Sequence, residues 1–212
     1  MIELKKTNYL IEYPDALNFM EQRVENIAKN QASELVWLVE HPPLYTAGTS
    51  AEKKDLLGTY KLPVYDAGRG GKYTYHGIGQ RVVYFMISLR NRNINVHQFV
   101  NMLEDIIILT LNDFKIKAEK RSDRIGIWVK TKNSEEKIAA LGIRIRKGIS
   151  FHGIAINISP NMEHFNGIIP CGISNFGVTS MQKLGLNISL DEFDAKLIPN
   201  ISNILQDELK SI

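Results

Sequence analysis

Cysteine is almost missing from this chain of 212 residues, in which Cys171 is the only one. A lone thiol cannot form an internal disulfide or supply a multi-cysteine zinc site, so its open roles are inert core residue or nucleophile. Pro170 restricts the backbone on one side of it, and Gly172 leaves room for a reacting group on the other, which favours the nucleophile. The shortage of cysteine also fits a reducing compartment, so we expect a cytoplasmic protein.

Long apolar runs and a strong net charge are missing as well. The apolar runs are far shorter than a membrane span, and residues 1–15 contain no secretory signal. A net charge of +3 is too small to indicate nucleic-acid binding. The chain has no G-x-G-x-x-G opening a helix and no G-x-x-x-x-G-K-[ST], and its histidines lack the spacing of a metal site. We therefore predict no cofactor, no metal, no membrane and no nucleic acid.

The chain does contain a regular succession of strand-like and helix-like segments. Apolar residues at helical spacing predict three helices, which begin at Pro14, after Asn95 and after Ser189. Strand patterns cover 9–13, 35–40, 63–66, 82–89, 116–119 and 125–130, followed by a hairpin of 143–146 with 149–158. Together they predict one α+β domain over residues 1–212, with a mostly antiparallel or mixed sheet and flanking helices.

Three features besides Cys171 carry chemically useful groups. A glycine-rich segment at 68–80 has the flexibility of a ligand-binding loop, although a surface turn explains it equally well. His76 and His152 each precede a glycine, which fits a shared polar site as well as two separate structural histidines. Lys137 lies between polar and apolar residues, and this position fits either a solvated strand end or an amine partly withdrawn from water.

Four motifs stand out in the sequence: EHPPLYTAG at 40–48, RGGKYTYHGIGQ at 69–80, KIAALGIRIRKGISFHGIAIN at 137–157 and PCG at 170–172. In their order and spacing they resemble the motifs of the lipoyl(octanoyl) transferase family, also called octanoyl-[acyl-carrier-protein]-protein N-octanoyltransferases. The family usually has proline where this chain has Ile78, and an aromatic residue where it has Ile173. Neither departure removes a reacting group, so we expect them to affect rate or chain-length preference.

The resemblance implies a fold like the catalytic domain of biotin and lipoate protein ligases, and a reaction without ATP. The octanoyl group would pass from acyl carrier protein to Cys171. A lysine of a lipoyl domain, on a 2-oxoacid dehydrogenase subunit or the glycine-cleavage H protein, would then accept it. Lys137 would lower the pKa of the Cys171 thiol. The positions that match the family's acyl-binding segments are Arg69, Gly70, Gly71, Lys72, Tyr73, Thr74, Tyr75, His76, Ala140, Leu141, Gly142, Gly153, Ile154 and Ala155.

Two other readings of the same sequence stay open at this point. An ATP-dependent lipoate or biotin ligase on the same fold could do without Cys171, and it would bind an adenylate. A catalytically inactive acyl-binding or scaffold protein would need neither Cys171 nor Lys137. The presence of both residues favours the transferase over the inactive protein.

Overall fold

The computed structural model of the chain describes residues 1–131, 134–169 and 176–212. Its α-helices in these ranges are α1 (Tyr13–Ala28), α2 (Val96–Asp113) and α3 (Leu190–Leu205). The strands in these ranges are β1 (Ile2–Leu10), β2 (Leu35–Glu40), β3 (Leu44–Ala47), β4 (Val64–Asp66), β5 (Thr74–His76), β6 (Gln80–Met86), β7 (Ala118–Glu119), β8 (Ile127–Lys130), β9 (Glu135–Arg146), β10 (Ile149–Asn157), β11 (Gly177–Val178) and β12 (Leu209–Ser211).

Nine of the described strands form one mixed sheet. Their order is β12-β1-β2-β6-β10-β9-β8-β7, and β11 pairs with β9 outside this path. The pairs of β1 with β12, of β1 with β2 and of β11 with β9 are parallel, and the others are antiparallel. A smaller sheet has the order β4-β3-β5. The predicted α+β architecture with a mixed sheet is therefore confirmed.

Helices cover both faces of the large sheet. Val36 and Leu38 of β2 belong to the apolar core under α2 and α3, whereas Trp37 and Val39 belong to the core under α1. Because successive side chains of a strand point to opposite faces, a strand covered on both sides must be apolar throughout. The same reason explains the apolar run around β6, which lies in the sheet between β2 and β10.

Local sequence signals set the hairpin and the helix starts. Lys147 and Gly148 connect β9 to β10 with φ angles of 54° and 77°, the left-handed conformation that a two-residue hairpin turn requires. Asn95 and Ser189 cap α2 and α3, and each is part of a complete capping box. The third helix continues through Pro199. No helix in the described ranges has the length and apolar content needed to cross a membrane.

The first strand differs from its prediction. It covers Ile2–Leu10 instead of 9–13, and Tyr13 is already the first residue of α1. The strand is held mainly by backbone pairing to β2 and β12, while Tyr9 and Leu10 are exposed. Its buried positions are Ile2, Leu4 and Thr7, with half-buried polar residues between them, so apolar periodicity alone places the strand too late.

Candidate active site

A pocket lies on the α1 side of the large sheet, next to the smaller sheet. It encloses about 510 Å³ of empty space, part of it open to solvent. Of the acyl-binding positions expected from sequence, the structure brings twelve into its lining: Arg69, Gly71, Lys72, Tyr73, Thr74, His76, Ala140, Leu141, Gly142, Gly153, Ile154 and Ala155. Four further residues complete the lining, and sequence reasoning gave them no acyl-binding role: Tyr13, Val82, Tyr84 and His152.

Small residues on β9 and β10 line the pocket, and the two glycines among them let neighbouring atoms approach the backbone. Gly142 pairs with Gly153, and Ala140 pairs with Ala155, so the two small pairs lie on the same face of the hairpin. A Cβ atom on Gly153 would lie 2.1 Å from the carbonyl oxygen of Val83, and one on Gly142 would lie 2.8 Å from Cδ of Arg69. These positions therefore need glycine, because neighbouring atoms occupy the space of a side chain.

Arg69 shapes the loop that closes the pocket. Its Nη1 donates to the carbonyl oxygens of Gly70 and Lys72 at 2.9 and 3.1 Å. Its Nη2 donates to the carbonyl oxygen and the hydroxyl of Thr46 at 3.2 and 2.8 Å. The guanidinium thus connects the glycine-rich loop to β3, and the loop is a wall of the pocket instead of a free surface turn.

Two of the expected positions do not line the pocket. Gly70 lies in the loop but outside the lining. The ring of Tyr75 packs in the core of the smaller sheet, 5.1 Å from the ring of Phe165, and its hydroxyl hydrogen-bonds Nδ1 of His164 at 2.9 Å. Alternation along β5 explains this, because Thr74 and His76 point to one face of the strand and Tyr75 points to the other.

A buried chain of hydrogen bonds runs from His76 to β9. Nδ1 of His76 lies 2.7 Å from Oε1 of Gln80, whose Nε2 donates to Oδ1 of Asn157 at 2.9 Å. Nδ2 of Asn157 donates to the carbonyl of Thr179 at 3.0 Å, and the Thr179 N–H donates to the carbonyl of Lys137 at 2.9 Å. These contacts fix the pocket loop relative to the strand that carries Lys137.

His76 of the pocket lining and its neighbour His41 are neutral at physiological pH. Burial lowers the pKa of His76 to about 3, with a further contribution from nearby His41. Burial also lowers the pKa of His41 to about 4. His41 lies 2.6 Å from the carbonyl oxygen of Ile11 through Nδ1, so its Nε2 accepts from the hydroxyl of Tyr84 at 2.7 Å. Both rings therefore act as hydrogen-bonding links and not as charges.

A bulge in β9 turns Lys137 toward the pocket side. Trp128 pairs with Lys137 but Ile127 pairs with Ala139, so the register shifts at this point. Ile138 and Ala139 both enter the core under α2 and α3, although neighbours in a regular strand point to opposite faces. The shift leaves Lys137 and Ala140 lining one small cavity, and Thr74 and Ala140 line both this cavity and the larger pocket.

Lys137 is buried, with an exposed fraction of 5%. Its Nζ donates to the carbonyl oxygen of Ile125 at 3.0 Å and lies 4.7 Å from the ring centre of Trp128. Gly126 makes room for the amine, because a Cβ atom there would lie 3.1 Å from Cε of Lys137. The structure therefore supports the reading of Lys137 as an amine withdrawn from water, and it excludes a solvated strand end.

Cys171 lies outside the described residues, as do Pro170, Gly172 and Ile173. The described residues on either side of this segment are anchored. Before it, the Ile169 N–H donates to the carbonyl oxygen of Asp55 at 2.8 Å. After it, Val178 of β11 pairs directly with Lys137. β11, which follows Cys171 in the chain, therefore lies beside Lys137, the residue that the family resemblance pairs with Cys171.

Sequence reasoning missed several residues of this site. Gln80 stands inside a quoted motif, and its amide type was the available signal for a buried hydrogen-bonding role. Asn157 ends the β10 segment and offered a similar signal. Tyr13, Tyr84 and Gly126 come from separate elements, and no local pattern connects them to the pocket.

Comparison with known proteins agrees with this geometry. The lipoyl protein ligase A/B catalytic domain family matches residues 12–202. An octanoyltransferase of Bartonella henselae is 52% identical over 96% of this chain and 86% of its own length. A bipartite lipoate protein ligase of Thermoplasma acidophilum has a TM-score of 0.75 at 14% identity, covering 100% of this chain and 88% of that one. A biotin protein ligase of Aquifex aeolicus has a TM-score of 0.56 at 14% identity, covering 96% and 70%.

The two solved structures bear on the fold alone, because their identity to this chain is low. They confirm the expected likeness to lipoate and biotin protein ligases. The family match and the relative at 52% identity carry the assignment further. The chain belongs to the octanoyltransferase family, within the lipoyl protein ligase A/B catalytic-domain group, and it is an acyltransferase.

Proposed function

We propose that this acyltransferase moves an octanoyl group from acyl carrier protein to a lysine of lipoyl domains, through a thioester on Cys171. The acceptors would be lipoyl domains of 2-oxoacid dehydrogenase subunits and the glycine-cleavage H protein. One observation carries the proposal: a slot lined by small residues shares Thr74 and Ala140 with a cavity lined by buried Lys137. The relatives named octanoyltransferase support the same acyl group.

The reaction is two acyl exchanges. The Cys171 thiolate attacks the carbonyl carbon of the octanoyl thioester, and the bond from that carbon to the phosphopantetheine sulfur breaks. The released thiolate takes a proton. The acceptor amine then attacks the new thioester, a C–N bond forms, and the bond to the sulfur of Cys171 breaks. Exchange between thioesters is nearly isoenergetic and formation of the amide is downhill, so the proposed reaction needs no ATP.

Lys137 is suited to assist both exchanges. A cation within about 4–6 Å of a thiol favours the thiolate, which lowers the thiol pKa. An unperturbed thiol with a pKa near 8.5 is only about 3% ionised at pH 7, so such a shift increases the amount of nucleophile. In the second exchange a lysine that can lose its proton could accept one from the acceptor amine. The backbone N–H groups around Leu141 or Cys171 are our candidates for stabilising the tetrahedral oxyanion.

The test uses the full chain with octanoyl-acyl carrier protein and follows its intact mass. We expect one octanoyl group on Cys171, its loss when a lipoyl domain is added, and an octanoylated lysine on that domain. Cys171→Ser should neither take up the group nor transfer it, because a hydroxyl is a far poorer nucleophile near neutral pH. Full transfer by Cys171→Ser would refute the covalent route.

A second arm separates the transferase from a ligase. The same protein is incubated with ATP, lipoate and a lipoyl domain, without acyl carrier protein. We expect no modification of the domain. Modification in this arm, with none from octanoyl-acyl carrier protein, would identify an ATP-dependent ligase instead.

A further inference from the structure

Two buried polar atoms lining the acyl pocket lack a hydrogen-bond partner among the described residues. They are the hydroxyl oxygen of Tyr13 and Nε2 of His152. Each residue is only 2% exposed. Buried polar atoms in native proteins nearly always have partners, so two such atoms in one pocket indicate a polar group that they bind.

His152 occupies a conformation that a histidine seldom adopts. Its φ is 63°, in the left-handed region, in the middle of β10. The rings of Phe151 and His152 stack at 4.9 Å, although neighbouring side chains of a regular strand point to opposite faces. The unusual backbone therefore brings the imidazole to the pocket side, where its ring also meets Tyr84 at 6.2 Å. Strain of this kind concentrates at ligand-binding sites.

The two unpartnered atoms are complementary. Burial raises the pKa of Tyr13 to about 12, so its hydroxyl keeps its proton and can donate. Burial, with smaller contributions from Arg69 and Arg144, lowers the pKa of His152 to about 3, so the ring is neutral. Its hydrogen bond to the backbone of Ala67 raises this pKa, which means that the ring donates there. Nε2 has no hydrogen-bond partner, and in the neutral ring protonated at Nδ1 it is an acceptor.

The position of His152 is far from the reacting end of the pocket. His152 pairs with Ile143, three residues beyond Ala140 along β9. This is about 10 Å at the rise of a strand. Ala140 is one of the two residues, with Thr74, that the pocket shares with the Lys137 cavity. An acyl chain whose carbonyl lies near Lys137 would therefore extend its tail toward His152.

We propose that Tyr13 and His152 form a polar stop that limits the length of the acyl chain. Together they hold one water molecule, which accepts from the tyrosine hydroxyl and donates to Nε2. A chain longer than octanoyl has to displace this water with a methyl group that pairs with neither atom, and such losses discriminate strongly between substrates. The inference rests on the proposed octanoyl transfer and adds its specificity.

The test compares octanoyl, decanoyl and dodecanoyl thioesters of acyl carrier protein with wild type and Tyr13→Phe. The variant keeps the ring contacts with His41 and Tyr65, and it adds little volume because only the hydroxyl is removed. We expect the ratio of kcat/KM for decanoyl to that for octanoyl to rise roughly tenfold. Tyr65→Phe is the matched control: Tyr65 stacks on Tyr13 at 5.7 Å outside the pocket lining, so the ratio should not change.

A second variant, His152→Gly, removes the acceptor and relieves the left-handed strain, and it should move the preference further toward long chains. Calorimetric binding of octanoate, decanoate and dodecanoate measures the same preference without any transfer. An unchanged ratio in Tyr13→Phe, with wild-type octanoyl transfer intact, would overturn the polar stop alone. Equal losses for all chain lengths would also overturn it. Failure of the wild type to transfer octanoyl would instead refute the proposed function, and the binding arm would still test the stop.

Discussion

Gly142→Ala tests the close approach of Arg69 to β9. The φ of Gly142 is not in the left-handed region, so alanine is compatible with the backbone itself. The new Cβ atom would nevertheless lie 2.8 Å from Cδ of Arg69 and 3.1 Å from the carbonyl oxygen of Gly70. Arg69 has little freedom to retreat, because four hydrogen bonds hold its guanidinium to the loop and to Thr46.

The expected magnitude follows from these contacts. Overpacking of a closely packed site costs about 1–3 kcal/mol. Replacing glycine by alanine where the backbone allows it stabilises the protein by about 0.4–1 kcal/mol, because it lowers the conformational entropy of the unfolded chain. The free energy of unfolding should therefore fall by about 1–2 kcal/mol, and for a protein of this size that lowers Tm by about 2–8 °C. The rate of octanoyl transfer should fall by more than the loss of folded protein explains, because the methyl group and the displaced Arg69 both narrow the pocket.

Gly70→Ala is the matched control for stability. A Cβ atom on Gly70 would lie 3.8 Å from the carbonyl oxygen of Ile143, an ordinary contact, and the φ of Gly70 is not left-handed. Thermal and urea unfolding of both variants should show Gly70→Ala at or slightly above wild type, and Gly142→Ala below it. If Gly142→Ala is as stable as wild type and transfers octanoyl at the same rate, the close approach of Arg69 to β9 is wrong.

Three further outcomes are expected. The rate of Cys171 alkylation, measured as a function of pH, should rise well below pH 8 in wild type. In Lys137→Met the midpoint of this profile should move to about 8.5. Coincident profiles would mean that the lysine is not beside the thiol. Ile78→Pro, at an exposed turn position, should be tolerated or add up to about 1 kcal/mol to the free energy of unfolding; loss of both stability and activity would contradict this. The third concerns acid. The pKa of His76 is lowered to about 3, so its contribution to stability is present above pH 6.5 and lost as pH falls toward 3. Urea unfolding from pH 7 to 4 should show a smaller loss for His76→Gln than for wild type, while the exposed His97→Gln should match wild type.

The sequence by itself determined the parts of this protein that depend on neighbouring residues. The turn at Lys147 and Gly148, the capping boxes at Asn95 and Ser189 and the apolar central strand β6 all follow from local chemistry. The resemblance also selected fourteen positions as acyl-binding, and twelve of them line one pocket. Their role as acyl-binding residues stays a prediction.

Only the tertiary structure decided which of these groups meet. The bulge that turns Lys137 to the pocket side depends on the register between β8 and β9, and that register is set by the packing of Ile138 and Ala139 into the core. The packing of Tyr75 in the smaller sheet depends on Phe165, 90 residues away in the chain. Tyr13 reaches the pocket from α1 and His152 from β10, so no local pattern could connect them. Contacts between residues distant in sequence are created by the packing of whole elements, and periodicity along one strand or helix carries no information about them.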